Sequence, residues 1–373
     1  MSADNTTYDS CLAVSFLPAN AVLEMTYACN HHCLFCSCPW EANKDNGFAA
    51  TPDLSVDEWT TAIDMLCARG VTDLAFTGGE ALLYKGIFEV IAYAAKQTTA
   101  HIEAQNGKLV RREKPPRLYL ISNGTSVTQN TLEFLKTHNV QLSMSLPGLT
   151  TLKEHTGIGN PDAILKKFAM AHEMGMRTVV NITATKKNLH ELYQTIAAAF
   201  LAGADQLLLN RFLPGGRGLS HEKELVLDKD EVIQMLDIAE EALTDAGRFG
   251  SVGTELPKCI VDEDKYTRLD IGTRCAAAIG FFVIGPDGYI RVCNHSEVKL
   301  VHFRDMDTLP DHPYWQRFVF KDYLPENCSR CPHMGTCDGG CREAAHICGG
   351  AVDSPDPLLA SDEASSQASS KTV

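Results

Sequence analysis

Between residues 20 and 247 the chain repeatedly alternates short apolar runs with helical segments, and this alternation restricts its possible folds more than any other feature. Runs near 21–27, 71–77, 117–122, 140–146, 177–184 and 205–212 read as strands. Helical patterns lie between and after them, among them Ser55–Arg69, Thr128–Thr137, Asp162–Met174 and Asp228–Ala246. Ser55-Val-Asp-Glu58 is a capping-box signal, in which the serine and the glutamate three residues on satisfy amides at a helix start. Strand–helix–strand units join parallel strands through right-handed crossovers. Six such units are too few to close an eight-fold barrel, so the expected α/β fold is an open, partial TIM-type (β/α)6 barrel over residues 20–250. The expected organisation adds an N-terminal extension (1–19), a cysteine-rich domain (251–352) and a disordered tail (353–373) rich in Ser, Ala, Asp and Pro. The polar stretch 100–116 reads as a surface loop or short hairpin.

Fourteen cysteines without a secretory signal argue for metal ligation in a reducing compartment rather than a disulfide framework. No apolar run approaches the length of a membrane span, and a net charge of −14 disfavours nucleic acid as a partner. A cytoplasmic location follows as the expectation. Three cysteines stand close together directly after the first strand, in Cys29-Asn-His-His-Cys33-Leu-Phe-Cys36. Thiolates at this spacing can ligate three irons of a [4Fe–4S] cluster and leave the fourth iron without a protein ligand, unlike a cluster closed by four cysteines. The competing explanation is a structural zinc knuckle, which needs a fourth ligand that the local sequence does not offer.

In a parallel α/β barrel the chemistry collects at the carboxyl ends of the strands, and the polar motifs fall there. After the second strand comes Thr77-Gly78-Gly79-Glu80, and after the third Ser122-Asn123-Gly124. The fourth contains Ser143 and Ser145 on one face, followed by Leu146-Pro147-Gly148, and the sixth runs into Asn210-Arg211-Phe-Leu-Pro-Gly-Gly-Arg217. With the cysteine triplet, this series resembles the radical S-adenosylmethionine (SAM) enzymes. The resemblance implies that SAM chelates the open iron and is cleaved to a 5′-deoxyadenosyl radical. It also implies that Gly78, Gly79 and Glu80 hold the SAM amino group, that Ser145 meets the ribose, and that Ser122, Asn123 and Arg211 complete the SAM site. Pro147 replaces the aspartate usual in this family, so any role of that residue is lost. Arg211 and Arg217 are equally readable as carboxylate contacts or as structural ion-pair residues.

Towards the C-terminus, Cys275 is followed by twelve residues, Gly288, four more residues and Cys293; then come Cys328-x2-Cys331-x5-Cys337-x3-Cys341 and Cys348. Phe281–Val292 between the first pair reads as a hairpin turning at Pro286-Asp287-Gly288, which would bring Cys275 and Cys293 together. The spacing resembles the SPASM domain of some radical SAM enzymes, with a two-zinc fold as the alternative. The resemblance implies two auxiliary [4Fe–4S] clusters, the first on Cys275, Cys293 and Cys341 with Cys259 as the candidate fourth ligand, the second on Cys328, Cys331, Cys337 and Cys348. It further implies an external donor of the flavodoxin or ferredoxin type, and a ribosomally made peptide substrate undergoing crosslinking or other maturation. A small molecule or tetrapyrrole is the second choice, and a non-catalytic iron–sulfur or zinc protein the reading from another class. Only about twenty residues precede the first strand, so leader-peptide binding is expected to need a separate partner protein.

Overall fold

The computed structural model describes residues 16–41, 52–105 and 108–359. Cys11, most of the N-terminal extension, and the part of the predicted tail beyond 359 lie outside them.

Twelve strands are present among the described residues: β1 (Asn20–Glu24), β2 (Asp73–Thr77), β3 (Thr99–Gln105), β4 (Lys108–Lys114), β5 (Arg117–Ser122), β6 (Val140–Ser145), β7 (Thr178–Ala184), β8 (Gln206–Arg211), β9 (Phe249–Val252), β10 (Leu269–Ile271), β11 (Phe281–Ile284) and β12 (Ile290–Arg291). The six strands expected from the sequence are β1, β2, β5, β6, β7 and β8, and they form neighbouring parallel pairs. Two alternating faces explain why. In β6 and β7 one set of residues (Val140, Leu142, Met144; Val180, Ile182, Ala184) is buried beneath the helices. The other set (Ser143, Ser145; Asn181, Thr183) is only half-buried and faces the barrel lumen.

The capping box at Ser55 forms as expected, with Ser55 N donating to Glu58 Oε2 at 2.9 Å and Glu58 N to Ser55 Oγ at 3.3 Å. Helix Lys229–Ala246 repeats the device with Asp228 and Glu231, and ends at Gly247 in the left-handed region. Of the two readings of 100–116, the hairpin is the one formed: β3 and β4 pair antiparallel from Thr99↔Lys114 to Gln105↔Lys108.

The sheet does not stop at six strands. Its order is β10-β9-β8-β7-β6-β5-β2-β1-β11-β12. Two sequence expectations therefore need correction. The boundary at 250 falls inside β9, and residues beyond it supply β10, β11 and β12 to the same sheet. An open barrel leaves two edges of unpaired amides, and these strands cover them. Residues 353–359, expected to belong to the disordered tail, are instead packed against the fold, with Asp356 fully buried and Leu358 2% exposed. The hairpin read from Pro286-Asp287-Gly288 is formed by β11 and β12, and β11 pairs parallel with β1 from Asn20↔Phe281 to Leu23↔Ile284. A buried ion pair between Arg291 of β12 and Glu24, the last residue of β1, fixes this seam beside the cysteine loop.

Candidate active site

The cysteine loop leaves β1 and is held by three backbone contacts from two other segments. Leu34 N donates to His155 O at 2.8 Å, His32 N to Thr156 O at 3.0 Å and Gly218 N to Cys36 O at 2.9 Å. Arg217 Nη1 donates to Cys33 O at 3.2 Å and its other amine pairs with Glu41, so Arg217 supports the loop from the wall of the cavity described below. The two glycines of the Gly78-Gly79-Glu80 motif lie against the approach to Cys29. Gly79 N donates to Thr26 O at 2.8 Å and Glu80 N to Ala28 O at 2.9 Å. A Cβ at Gly79 would stand 2.4 Å from Ala28 O, and one at Gly78, where φ is +133°, 2.4 Å from Thr26 O. Both positions therefore require glycine to let the two backbones meet.

Glu80 is 1% exposed. Its Oε1 accepts from Ser122 Oγ at 2.9 Å and Leu82 N at 3.2 Å, and its Oε2 from Asn123 N at 2.8 Å. Asn123 Nδ2 in turn donates to Asn30 Oδ1 at 2.7 Å, tying the third motif to the cysteine loop. Cys29, Cys33, Cys36, Gly78, Gly79, Glu80, Ser122, Asn123, Ser145 and Arg211 all border one cavity of about 410 Å³ at the carboxyl ends of the strands. Ser143, on the same face as Ser145, instead borders a second cavity of about 580 Å³ at the opposite end of the lumen. Arg211 is committed elsewhere: its Nη2 lies 2.6 Å from Asp356 Oδ2, while its buried Nε has no hydrogen-bond partner.

Burial pushes the Cys29 and Cys33 thiols upwards. Cys36 moves down because the neighbouring Cys38 thiol donates a hydrogen bond to it, and Cys38 moves up correspondingly. Burial lowers His31, whose Nε2 meets Thr125 Oγ1 at 2.7 Å and whose Nδ1 is buried without a partner. Burial raises Glu80, against the hydrogen bonds that favour its anion. Three soft sulfur donors facing one cavity suit iron–sulfur ligation, since binding a positively charged centre offsets the cost of forming buried thiolates.

Residues 23–199 match the family model described as the Radical SAM superfamily. The chain carries a radical SAM domain. Among curated proteins, this radical SAM enzyme is 24% identical to the sporulation killing factor maturation protein SkfB of Bacillus subtilis, over 80% of this chain and 65% of SkfB. It thus spans just under two thirds of that relative's length. It is also 24% identical to a PqqA peptide cyclase of Granulibacter bethesdensis, over 92% of this chain and 87% of the relative. An AdoMet-dependent heme synthase of Nitratidesulfovibrio vulgaris is 23% identical over 90% of each chain. Among solved structures, Streptococcus suis SuiB bound to precursor peptide SuiA superposes with a TM-score of 0.67 at 16% identity, over 92% of this chain and 76% of SuiB. That likeness establishes a shared fold.

The C-terminal cysteines of the chain fall into two groups. Cys275, Cys293 and Cys341 are buried electrostatic neighbours, and burial pushes all three up, Cys341 to about 12. Cys328, Cys331 and Cys337 form the second group. Cys259, expected beside the first group, is a neighbour of the second instead. Cys348 is exposed and faces Glu222, Asp356 and Arg211. Among the described residues no three His, Cys, Asp or Glu side chains come close enough to hold a single metal ion, whereas a four-iron cluster takes each thiolate on a separate iron. No helix among the described residues is long and apolar enough to cross a membrane.

Several residues of the site escaped sequence reasoning. Asn294 and His295, directly after Cys293, border the 410 Å³ cavity from the C-terminal side. Burial lowers His295 to about 4, and its Nδ1 has no hydrogen-bond partner. Adjacency to Cys293 was the available signal. Glu191 and Asp356 gave none, because their partners lie far away in sequence.

Proposed function

We propose that this radical SAM enzyme matures a ribosomally made peptide, removing hydrogen from it and passing the second electron to auxiliary clusters. The observation that carries this reading is one shared wall. The cavity bordered by Cys29, Cys33, Cys36 and Glu80 is bordered on its far side by Asn294 and His295, which follow Cys293 of the C-terminal cysteine set. The names of SkfB and the PqqA peptide cyclase, and the precursor peptide bound to SuiB, support a peptide as substrate.

In this reading Cys29, Cys33 and Cys36 hold three irons of a [4Fe–4S] cluster. With SAM on the fourth iron, the bound cofactors supply reductive cleavage and a 5′-deoxyadenosyl radical that takes hydrogen from substrate. The chain's own residues position and enclose. Glu80, held by Ser122 and the Asn123 amide, presents its carboxylate to the SAM amino group. Ser145, Asn181 and Asn210 line the lumen where ribose and substrate would meet. Asn210 Nδ2 donates to Asn181 Oδ1 at 3.1 Å, which orients both amides. Asn294 and His295 close the side towards the auxiliary cysteines. Electrons would arrive from a flavodoxin- or ferredoxin-type donor.

The test is anaerobic co-expression with each short reading frame beside the gene, comparing exact peptide masses with those made by a Cys29/Cys33/Cys36→Ala triple variant. Loss of two hydrogens from one peptide, dependent on the three cysteines, is the expected result. The similarity to an AdoMet-dependent heme synthase, at nearly the same identity, favours a tetrapyrrole as the second reading. That reading takes over if SAM is cleaved but every peptide keeps its mass and configuration when the leader-binding partner is also supplied.

A further inference from the structure

We infer that Cys259, and not Cys348, joins Cys328, Cys331 and Cys337 as the fourth ligand of the second auxiliary cluster, while the first keeps only the thiols of Cys275, Cys293 and Cys341. This partition rests on the cluster-binding reading of the C-terminal domain but changes the ligand set that the cysteine spacing implies.

Backbone geometry places Cys259 with the second group. Lys258 N, one residue before it, points at Cys337 Sγ at 3.5 Å, and Gly339 N donates to the same sulfur at 3.3 Å. These two amides seat Cys337 between the backbone before Cys259 and the Gly339 turn. The turn at Pro257, closed by Ile260 N and Val261 N on the Pro257 carbonyl, holds Cys259 at this spot. Gly339 sits between Cys328 and Cys337: a Cβ there would approach Cys328 Sγ at 3.3 Å. Cys259 then faces Cys331 and Cys337, and Cys328 faces all three.

Helix geometry sets Cys348 apart from Cys341, and its surroundings set it apart from the second group. Cys341 is the N-cap of helix Arg342–Gly349, and Cys348 lies near the far end of that helix. Seven residues at the α-helical rise separate the two by roughly 10 Å along the axis. Cys348, like Cys259, is exposed, but its charged neighbours are Glu222, Asp356 and Arg211, with no cysteine among them. Moving Cys259 out of the first group leaves that group three thiols. The half-buried Glu255 lies beside two of them, Cys275 and Cys341, and its Oε1 accepts from Ala276 N at 3.2 Å.

The experiment uses the full chain, reconstituted anaerobically, as parent, Cys259→Ala, Cys259→Ser and Cys348→Ala, with iron and sulfide counted and the reduced proteins compared by electron paramagnetic resonance. The parent should hold about twelve irons, four per cluster. Cys348→Ala should keep that count and the parent spectrum. Cys259→Ala should fall towards about eight irons with one auxiliary signal lost, and Cys259→Ser should shift the same signal. Loss of an auxiliary signal in Cys348→Ala, with both Cys259 variants matching the parent, would overturn the assignment. Retained SAM cleavage by the barrel shows that a variant has folded, and the Cys348→Ala arm decides even if the Cys259 variants do not fold. A parent holding only about four irons would instead overturn the cluster-binding reading itself.

Discussion

Arg211 Nη2 meets Asp356 Oδ2 at 2.6 Å, and the same carboxylate oxygen accepts from Cys341 N at 2.7 Å. One buried acid, 145 residues away from Arg211 in sequence, thus joins the end of barrel strand β8 to the backbone of a candidate cluster ligand. The pair is 4% and 0% exposed, so neither charge has water as a substitute partner. Asp356→Asn leaves a buried guanidinium uncompensated and should cost about 3–5 kcal/mol. Urea unfolding followed by far-UV circular dichroism checks this; a change below about 1 kcal/mol, as for an exposed pair, would contradict it.

Gly79→Ala should damage the cofactor site through the backbone. The added Cβ meets Ala28 O at 2.4 Å and Tyr27 O at 2.6 Å, so the segment entering Cys29 must shift. Overpacking of this kind costs about 1–3 kcal/mol. The expected outcome is a folded protein whose 5′-deoxyadenosine formation, measured by chromatography, falls at least tenfold. Parent-level cleavage would show that the close approach is not needed.

Glu191 gives a pH prediction. Burial acts to raise its carboxyl, but the hydroxyls and amides of Thr151 and Thr150 outweigh that and take it down to about 2. The contacts run from 2.5 to 3.1 Å and include Leu149 N. They fasten the loop after Ser145, and Gly148 is required there because a Cβ would lie 2.4 Å from Glu191 Oε1. A depressed carboxyl stabilises the fold above its unfolded value and loses that contribution as pH falls through its folded one. The stability gap between parent and Glu191→Gln should therefore be constant above about pH 5, begin to narrow below the ordinary 4.5, and close near 2. Urea melts at stepped pH give the gap; a gap that widens on acidification would reverse the assignment.

The barrel was legible in the sequence because its strands combine an apolar helix-facing side with a polar lumen side, and because its motifs are local. Ser55–Glu58, the Gly78-Gly79-Glu80 turn and the Pro286-Asp287-Gly288 hairpin each span a few residues and fix their own geometry. What stayed hidden depends on distant pairing. Nothing near Phe281 announces that β11 will pair with β1, and nothing near Asp356 announces Arg211. Residues 353–359 were assigned to a disordered tail for the same reason: composition cannot see a single carboxylate buried by partners far away in the chain. Cysteine spacing likewise suggested groups, but it could not show that the turn at Pro257 brings the Lys258 amide to Cys337 Sγ.

The central claim is that Cys29, Cys33 and Cys36 hold a cluster whose open iron takes SAM. The decisive measurement is 5′-deoxyadenosine formation by reduced, reconstituted protein, beside its iron count, in the parent and in a Cys29/Cys33/Cys36→Ala variant. The account predicts cleavage by the parent, none by the variant, and loss of about four irons, a third of the total. Iron loss with cleavage intact would contradict it.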